Sequence, residues 1–174
     1  TWRFFSLRIW GALPPVVQRT LSRWYARFYD QPISRHIIKP YCQTHYKHNP
    51  GYLQQFKPAS GASQYQSFQD FFIRQFKEPL RVKTQAAWGS EGLLCEYGKL
   101  DEMAQVNVKG DKRHARSIFG AAGDHIPHDY YYANVFLHSN KYHRKHATVS
   151  GTIARIEHIP GEMVILRPWI YTQD

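Results

Sequence analysis

From Pro14 onward the apolar positions recur every three or four residues. In PPVVQRTLSRWYARFYDQ, Val17, Leu21, Trp24, Tyr25 and Phe28 fall on one face of a helix and Arg19, Arg23 and Arg27 on the other, with Pro14 and Pro15 suited to its first turn. The stretch from Lys47 to Ser63 breaks the pattern: it is rich in Gly, Pro, Asn, Ser and Gln, and reads as a connector. Periodicity resumes in SFQDFFIRQFKEPLR. There Ser67 is placed to cap a helix, Phe68, Phe71, Phe72 and Phe76 form an aromatic stripe of the kind that packs into a core, and Pro79 predicts the end. After Leu80 the period shortens. GLLCEYG, AQVNVKG, YYANVFLHS, GTIARIEHI and GEMVILRP are short β-branched and aromatic runs, several of them alternating, bounded by Gly, Asn or Pro, and each predicts a strand.

Helices first and strands second predict an α+β fold, with N-terminal amphipathic helices packed on a mostly antiparallel, barrel-like sheet. The division expected is a helical region over 1–80 and a β-rich catalytic domain over 81–174. GSEGLL at Gly89–Leu94 and TVSGTI at Thr148–Ile153 echo each other faintly, each placing a turn and a glycine before a strand.

Composition narrows the partners. The 174 residues are 43% hydrophobic and 16% aromatic, enough for a sizeable core, and 23 Lys and Arg against 13 Asp and Glu leave a net charge of +10. A surface this basic favours an anionic partner. TWRFFSLRIW ahead of the first helix interleaves Trp2, Phe4, Phe5 and Trp10 with Arg3 and Arg8, so residues 1–30 read either as a membrane-interface segment or as a face docked on the rest of the domain. No RNP-type strand, zinc-finger spacing or helix-turn-helix pattern accompanies the charge, and nucleic acid is not an expected partner. Cys42 and Cys95 stand alone, which argues against a disulfide scaffold or a cysteine-built zinc site and for a reducing compartment. With no apolar run of membrane-spanning length and no secretory pattern at the N-terminus, the expected location is cytoplasmic, peripheral on the cytoplasmic face of a membrane.

NKYHRKHATVSG, Asn140–Gly151, raises the chemical question. His143 and His146, with His125 and His128, make two His-x-x-His pairs, and imidazole suits several transition metals. Lys141, Arg144 and Lys145 surround the second pair with no nearby carboxylate to offset them, so no metal is assigned. A solvated basic loop is a second reading. In the third, an imidazole among cations shuttles a proton near neutral pH while its neighbours hold an anionic substrate, and a carboxylate from elsewhere orients the ring.

SFQDFFIRQFKEPLR, GSEG, VKG at Val108–Gly110, YYANVFLHSNKYHRKHATVSG and IPGEM at Ile159–Met163 resemble, in order and spacing, the successive motifs of the phosphatidylserine decarboxylases. The resemblance runs from about Leu21 to Pro168 and is sharpest at Tyr142–His146. It implies a pyruvoyl-dependent carboxy-lyase of phospholipid metabolism, made as a zymogen and matured by serine-dependent self-cleavage. This chain would be much of the larger, non-pyruvoyl fragment, its β-rich domain completed by a C-terminal fragment that carries the covalent pyruvoyl cofactor. By the same resemblance His146 is the base that activates the serine, and Glu91 falls where the family has its orienting aspartate. His143 handles substrate in decarboxylation, and Tyr142 and Arg144 bind it. His146 and Glu91 are expected within hydrogen-bond reach, about 2.6–3.2 Å or through one water.

Expected partners are the chain's own C-terminal fragment, an anionic phospholipid surface and further copies of itself. Lys141 stands where the family commonly has aspartate, Ser139 where it has proline, and ATVSG where it has a Pro-Val-Asp-Gly pattern. These departures leave a soluble amino-acid substrate open beside phosphatidylserine, and a catalytically inactive, membrane-binding relative open beside an enzyme.

Overall fold

The two prolines begin the first helix as the pattern requires. In the computed structural model, which describes residues 9–10, 12–81, 83–102, 105–108 and 111–158, α1 runs Pro15–Asp30. Its apolar stripe stays open: Val17, Leu21, Trp24, Tyr25 and Phe28 are all exposed, Trp24 at 71%. The buried residue of the helix is Gln18, whose amide donates to the Trp10 and Leu13 carbonyls, both at 2.9 Å. No helix among the described residues is long and apolar enough to cross a membrane. Residues 1–8, which carry the expected interface aromatics, lie outside the described set.

The described residues divide into two units, which interleave along the chain. One comprises Thr20–Gly92 and Leu137–Thr152. A 3-10 turn at Pro32–Ile37 leads into α2, Ile38–His45, and α3 is the single turn Phe68–Phe72. Ser67 caps α3 as its position suggests, its Oγ accepting from the Asp70 N–H at 3.1 Å. Ser34 ties the layers together: fully buried, it donates to the Tyr29 carbonyl and accepts from the Phe68 N–H at 2.8 Å. Tyr46, Phe68 and Phe71 form the core, with Tyr29, Tyr41 and Tyr52 packed against them.

Two expectations fail in this unit, for one reason. The helix over Phe68–Phe76 stops at Phe72, well before Pro79, and the supposed connector carries a 3-10 turn at Pro50–Gln55 and a strand, β1, Phe56–Lys57. β1 pairs antiparallel with β2, Gln75–Phe76, placing Phe56 opposite Phe76 with their rings 4.9 Å apart. Pairing with a segment twenty residues upstream draws Phe76 out of the helix, because the ladder satisfies the backbone that helical propensity would otherwise claim.

The other unit comprises Leu93–Phe136 with the described parts of Thr1–Arg19 and Ile153–Asp174. β3, Leu93–Lys99, pairs antiparallel with β6, Tyr131–Phe136, through a bulge at Cys95, and β4, Gln105–Val108, pairs with β5, Asp111–His114. A 3-10 segment at Ala115–His125, kinked at Gly120 with φ of 57°, packs Ala115 on Leu100. Asp101 accepts from Arg116 at 3.4 Å and contacts His128 Nδ1 at 3.0 Å.

The fold is mixed α+β, and the described residues form three separate two-stranded antiparallel ladders with no closed barrel among them. Closure needs a neighbour on both edges of every strand, and here each strand has one. GTIARIEHI, expected as a strand, shows no regular structure over 151–158: Ile153 and Ile156 are exposed and no ladder reaches them. GEMVILRP lies outside the described residues.

Candidate active site

Two short backbone hydrogen bonds bring the distant turns together. Ala87 donates to the Thr148 carbonyl at 2.9 Å and His146 donates to the Gly89 carbonyl at 2.8 Å. Gly89 is required for this approach, since a Cβ there would stand 2.8 Å from the His146 carbonyl oxygen. The GSEG turn therefore lies against the 140–147 loop, as the resemblance implied.

Glu91 and His146 meet across Tyr142 and do not touch each other. One Glu91 oxygen accepts from the Tyr52 hydroxyl and from the Tyr142 N–H at 3.2 Å, and the other pairs with the Lys141 ammonium at 3.0 Å. His146 Nε2 lies 2.9 Å from the Tyr142 hydroxyl, with the two rings within 10° of parallel. The two side chains make no direct hydrogen bond, the Glu91 oxygens being engaged by Tyr52, Lys141 and the Tyr142 backbone. Partial burial pushes the Glu91 carboxyl up, but the Tyr52 hydroxyl, the Lys141 ammonium and the Tyr142 N–H together hold it below its ordinary value. Burial pushes the Tyr142 hydroxyl up, so it stays protonated at neutral pH.

Tyr142 is held rigidly. It is 3% exposed, its ring stacks on Phe56 at 5.5 Å and 11°, and Phe76 packs against it at 4.5 Å. Together these residues wall a cavity of about 360 Å³, lined by Tyr52, Gln55, Phe56, Phe76, Leu80, Trp88, Ser90, Glu91, Tyr142 and His146. The apolar side comes from β1, β2 and Trp88, and the polar side from Glu91, His146 and three hydroxyls.

The same pentapeptide sends its other two functional candidates elsewhere. His143 stacks on Phe72 with centroids 3.9 Å apart, and its buried Nε2 has no partner among the described residues. Burial lowers its proton affinity below the ordinary histidine value, against backbone hydrogen bonds at Ser139 and His138 that raise it. Arg144 Nε donates to the Ile73 carbonyl at 2.8 Å. Of the five residues singled out from sequence, Glu91, Tyr142 and His146 converge on one cavity, whereas His143 and Arg144 pack on α3 and the residue after it.

Sequence reasoning missed Tyr52 and Phe56, hidden in the supposed connector, and Arg74, which a longer α3 would have turned toward solvent. Arg74 is instead completely buried. Its one visible signal was a cation set inside a dense aromatic stretch.

Comparison with known proteins accounts for the motif order. A family model described as phosphatidylserine decarboxylase matches residues 68–174, more than half the chain. The chain belongs to the phosphatidylserine decarboxylase family. The matched region contains Arg74, Glu91 and all of Tyr142–His146, while Tyr52 and Phe56 precede it. Among relatives, the phosphatidylserine decarboxylase proenzyme of Mannheimia succiniciproducens is 27% identical over 169 residues, covering 92% of this chain and 55% of that protein. The proenzyme of Francisella tularensis subsp. novicida is 29% identical over 105 residues, 58% of this chain and 36% of that protein. The chain thus spans about half the length, or less, of these curated relatives of the phosphatidylserine decarboxylase family.

Proposed function

We propose that this chain supplies the histidine and acid machinery of a pyruvoyl-dependent decarboxylase acting on phosphatidylserine or a related amino-acid substrate, formed by serine-dependent self-cleavage of a longer precursor. The observation that carries the reading is the Tyr142–His146 pair at 2.9 Å, set beside an ionised Glu91 at a cavity of about 360 Å³. The relatives are named as proenzymes, and the matched regions cover only 55% and 36% of their lengths, which supports a companion segment from the same precursor.

The cavity suits a small carbonyl-bearing group. Tyr52, Tyr142 and Ser90 offer hydroxyls, Gln55 an amide and His146 an imidazole, against an apolar wall that limits water. When bound, the pyruvoyl group supplies an electron sink for the electrons released with carbon dioxide. In the self-cleavage step, His146 takes the proton of the attacking serine. In the tautomer whose Nε2 donates to the Tyr142 oxygen, Nδ1 is the basic nitrogen, and it has no partner among the described residues. Glu91 acts through Tyr142, gripping its N–H, so the acid positions the tyrosine and the tyrosine positions the ring.

His143 serves the later substrate step. Burial keeps its ring neutral, Phe72 fixes its plane, and the buried Nε2, without a partner among the described residues, is an unused hydrogen-bonding group that supports a role toward a carboxylate or a returning proton. Arg144, anchored on Ile73, holds the loop on which both histidines ride and adds positive charge for an anionic substrate. The exposed stripe of α1, flanked by Arg19, Arg23 and Arg27, supports peripheral binding to an anionic lipid surface at the cytoplasmic face. Exposed Leu93, Tyr97 and Tyr131 on β3 and β6, Tyr131 at 82%, support a sheet extended toward a barrel by the companion fragment.

The test is mass spectrometry on the full-length precursor after expression. Two chains, the smaller with a ketone-bearing N-terminus that borohydride reduction in the presence of serine or phosphatidylserine modifies, support the reading. A single uncut chain with a free serine refutes it.

A further inference from the structure

Arg74 is a buried cation with no anion beside it among the described residues. Its side chain is wholly inaccessible, no carboxylate among the described residues pairs with it, and its guanidinium carbon sits 4.7 Å over the Phe56 ring and 5.0 Å over the Phe71 ring. Cation–π contact offsets part of the desolvation that such a charge costs, but a leucine there would avoid the cost entirely. The guanidinium's hydrogen bonds show what it does. Nη2 lies 3.0 Å from the Lys141 carbonyl, 3.2 Å from the Tyr46 hydroxyl and 3.5 Å from the Asn140 carbonyl. Tyr46, whose own hydroxyl burial pushes up to about 12, donates in turn to the Asn140 carbonyl.

The Lys141 carbonyl and the Tyr142 N–H belong to one peptide group. Arg74 holds its oxygen at 3.0 Å, and Glu91 holds its N–H at 3.2 Å. A cation on one side and a carboxylate on the other fix the plane of that peptide, and both contacts strengthen through the polarisation each induces in it. The next atoms along the chain are the Cα and ring of Tyr142, which contacts His146.

We propose that Arg74 is a positioning residue for His146: by locking the 141–142 peptide against Glu91, it keeps the Tyr142 hydroxyl on the imidazole. The inference rests on the reading of His146 as the base in self-cleavage, but the geometry it asserts does not need that step to occur.

The test is residue-resolved acylation of histidines by diethyl pyrocarbonate on the full-length chain, read by mass spectrometry well below the unfolding temperature. His125, His128 and His138 serve as internal standards. Arg74→Lys keeps the charge and loses the fork, and it should raise the His146 rate about 2- to 12-fold, the loss expected for one hydrogen bond. Tyr142→Phe should give the same rise, and combining the two should add nothing further. Tyr46→Phe, which removes one acceptor of the guanidinium and one donor to the Asn140 carbonyl, supplies a second route to the same effect should Arg74→Lys not fold.

A His146 rate that stays at the wild-type value in Arg74→Lys, or in Tyr46→Phe where Arg74→Lys does not fold, overturns the proposal. A uniform rise at all histidines also overturns it, because it would mean general loosening. Self-cleavage measured in parallel separates the two claims: selective exposure of His146 with cleavage indifferent to His146→Ala would sink the functional reading and leave the positioning role standing.

Discussion

His143 and His146 lie three residues apart in one loop, share one side-chain chemistry and differ in almost everything the fold provides. His146 is exposed at a cavity wall, hydrogen-bonded to a buried tyrosine and tied by its own N–H to Gly89. His143 is half-buried against Phe72, with an Nε2 that has no partner among the described residues. The comparison teaches that motif spacing selects which residues are near a site, while packing decides which of them meets solvent, which stays neutral and which step each can serve.

The sharpest way to break that contrast is to remove each ring in turn. His146→Ala should cut the self-cleavage rate about 10²- to 10⁴-fold, the usual contribution of a general base, while costing no more than about 1 kcal/mol of stability, the worth of its one hydrogen bond to Tyr142. Gel analysis of precursor conversion and a urea melt measure the two. His143→Ala should reverse the balance: self-cleavage within a few-fold of wild type, decarboxylation down about 10²-fold, and stability lower by about 1–2 kcal/mol. Equal loss of cleavage in both variants would erase the division of labour.

Packing can be attacked directly. Phe72→Ala withdraws the face on which His143 stacks and should cost about 2–4 kcal/mol of stability while leaving the Tyr142–His146 contact in place. Urea unfolding and the acylation rates of the two histidines separate these effects, with His143 becoming reactive and His146 unchanged.

Acid sharpens the comparison further. Because burial lowers the His143 proton affinity, the unfolded chain takes that proton first; its contribution is complete above the ordinary value of 6.5 and is lost as pH falls through the lower folded value. Glu91 is also depressed, so its contribution is complete above 4.5 and is lost as pH falls through its own lower folded value. Stability measured by urea titration should therefore decline in two steps on acidification, and His143→Leu should abolish the upper step alone.

The smallest expected effect is at the rim. The Lys141–Glu91 pair is more than a third exposed on both sides, so Lys141→Ala should lower stability by no more than about 1 kcal/mol, and less in high salt.

Much of this was legible in the chain. Pro15 and the three-four spacing placed α1, Ser67 announced its cap, and alternation located β3, β4 and β6. The order of short motifs pointed to the family and to Glu91, Tyr142 and His146. What failed was local inference where a partner lay far away. Lys47–Ser63 has loop composition, yet Phe56 becomes a strand residue because Phe76 lies opposite it, and Phe76 leaves its helix for the same contact.

The sequence by itself determined which residue types were available: a basic helix, a cation-rich histidine loop, and a glutamate and glycine turn able to approach it. Only the tertiary structure decided that Glu91 would spend its oxygens on Tyr52, Lys141 and a backbone N–H, that Tyr142 would stand between acid and imidazole, and that Arg74 would be buried to hold the peptide beneath them. The physical reason is that periodicity reports the environment of a residue's own element. Hydrogen-bond partners separated by 51 or 67 positions are chosen by closure of the whole fold, and no local pattern encodes them.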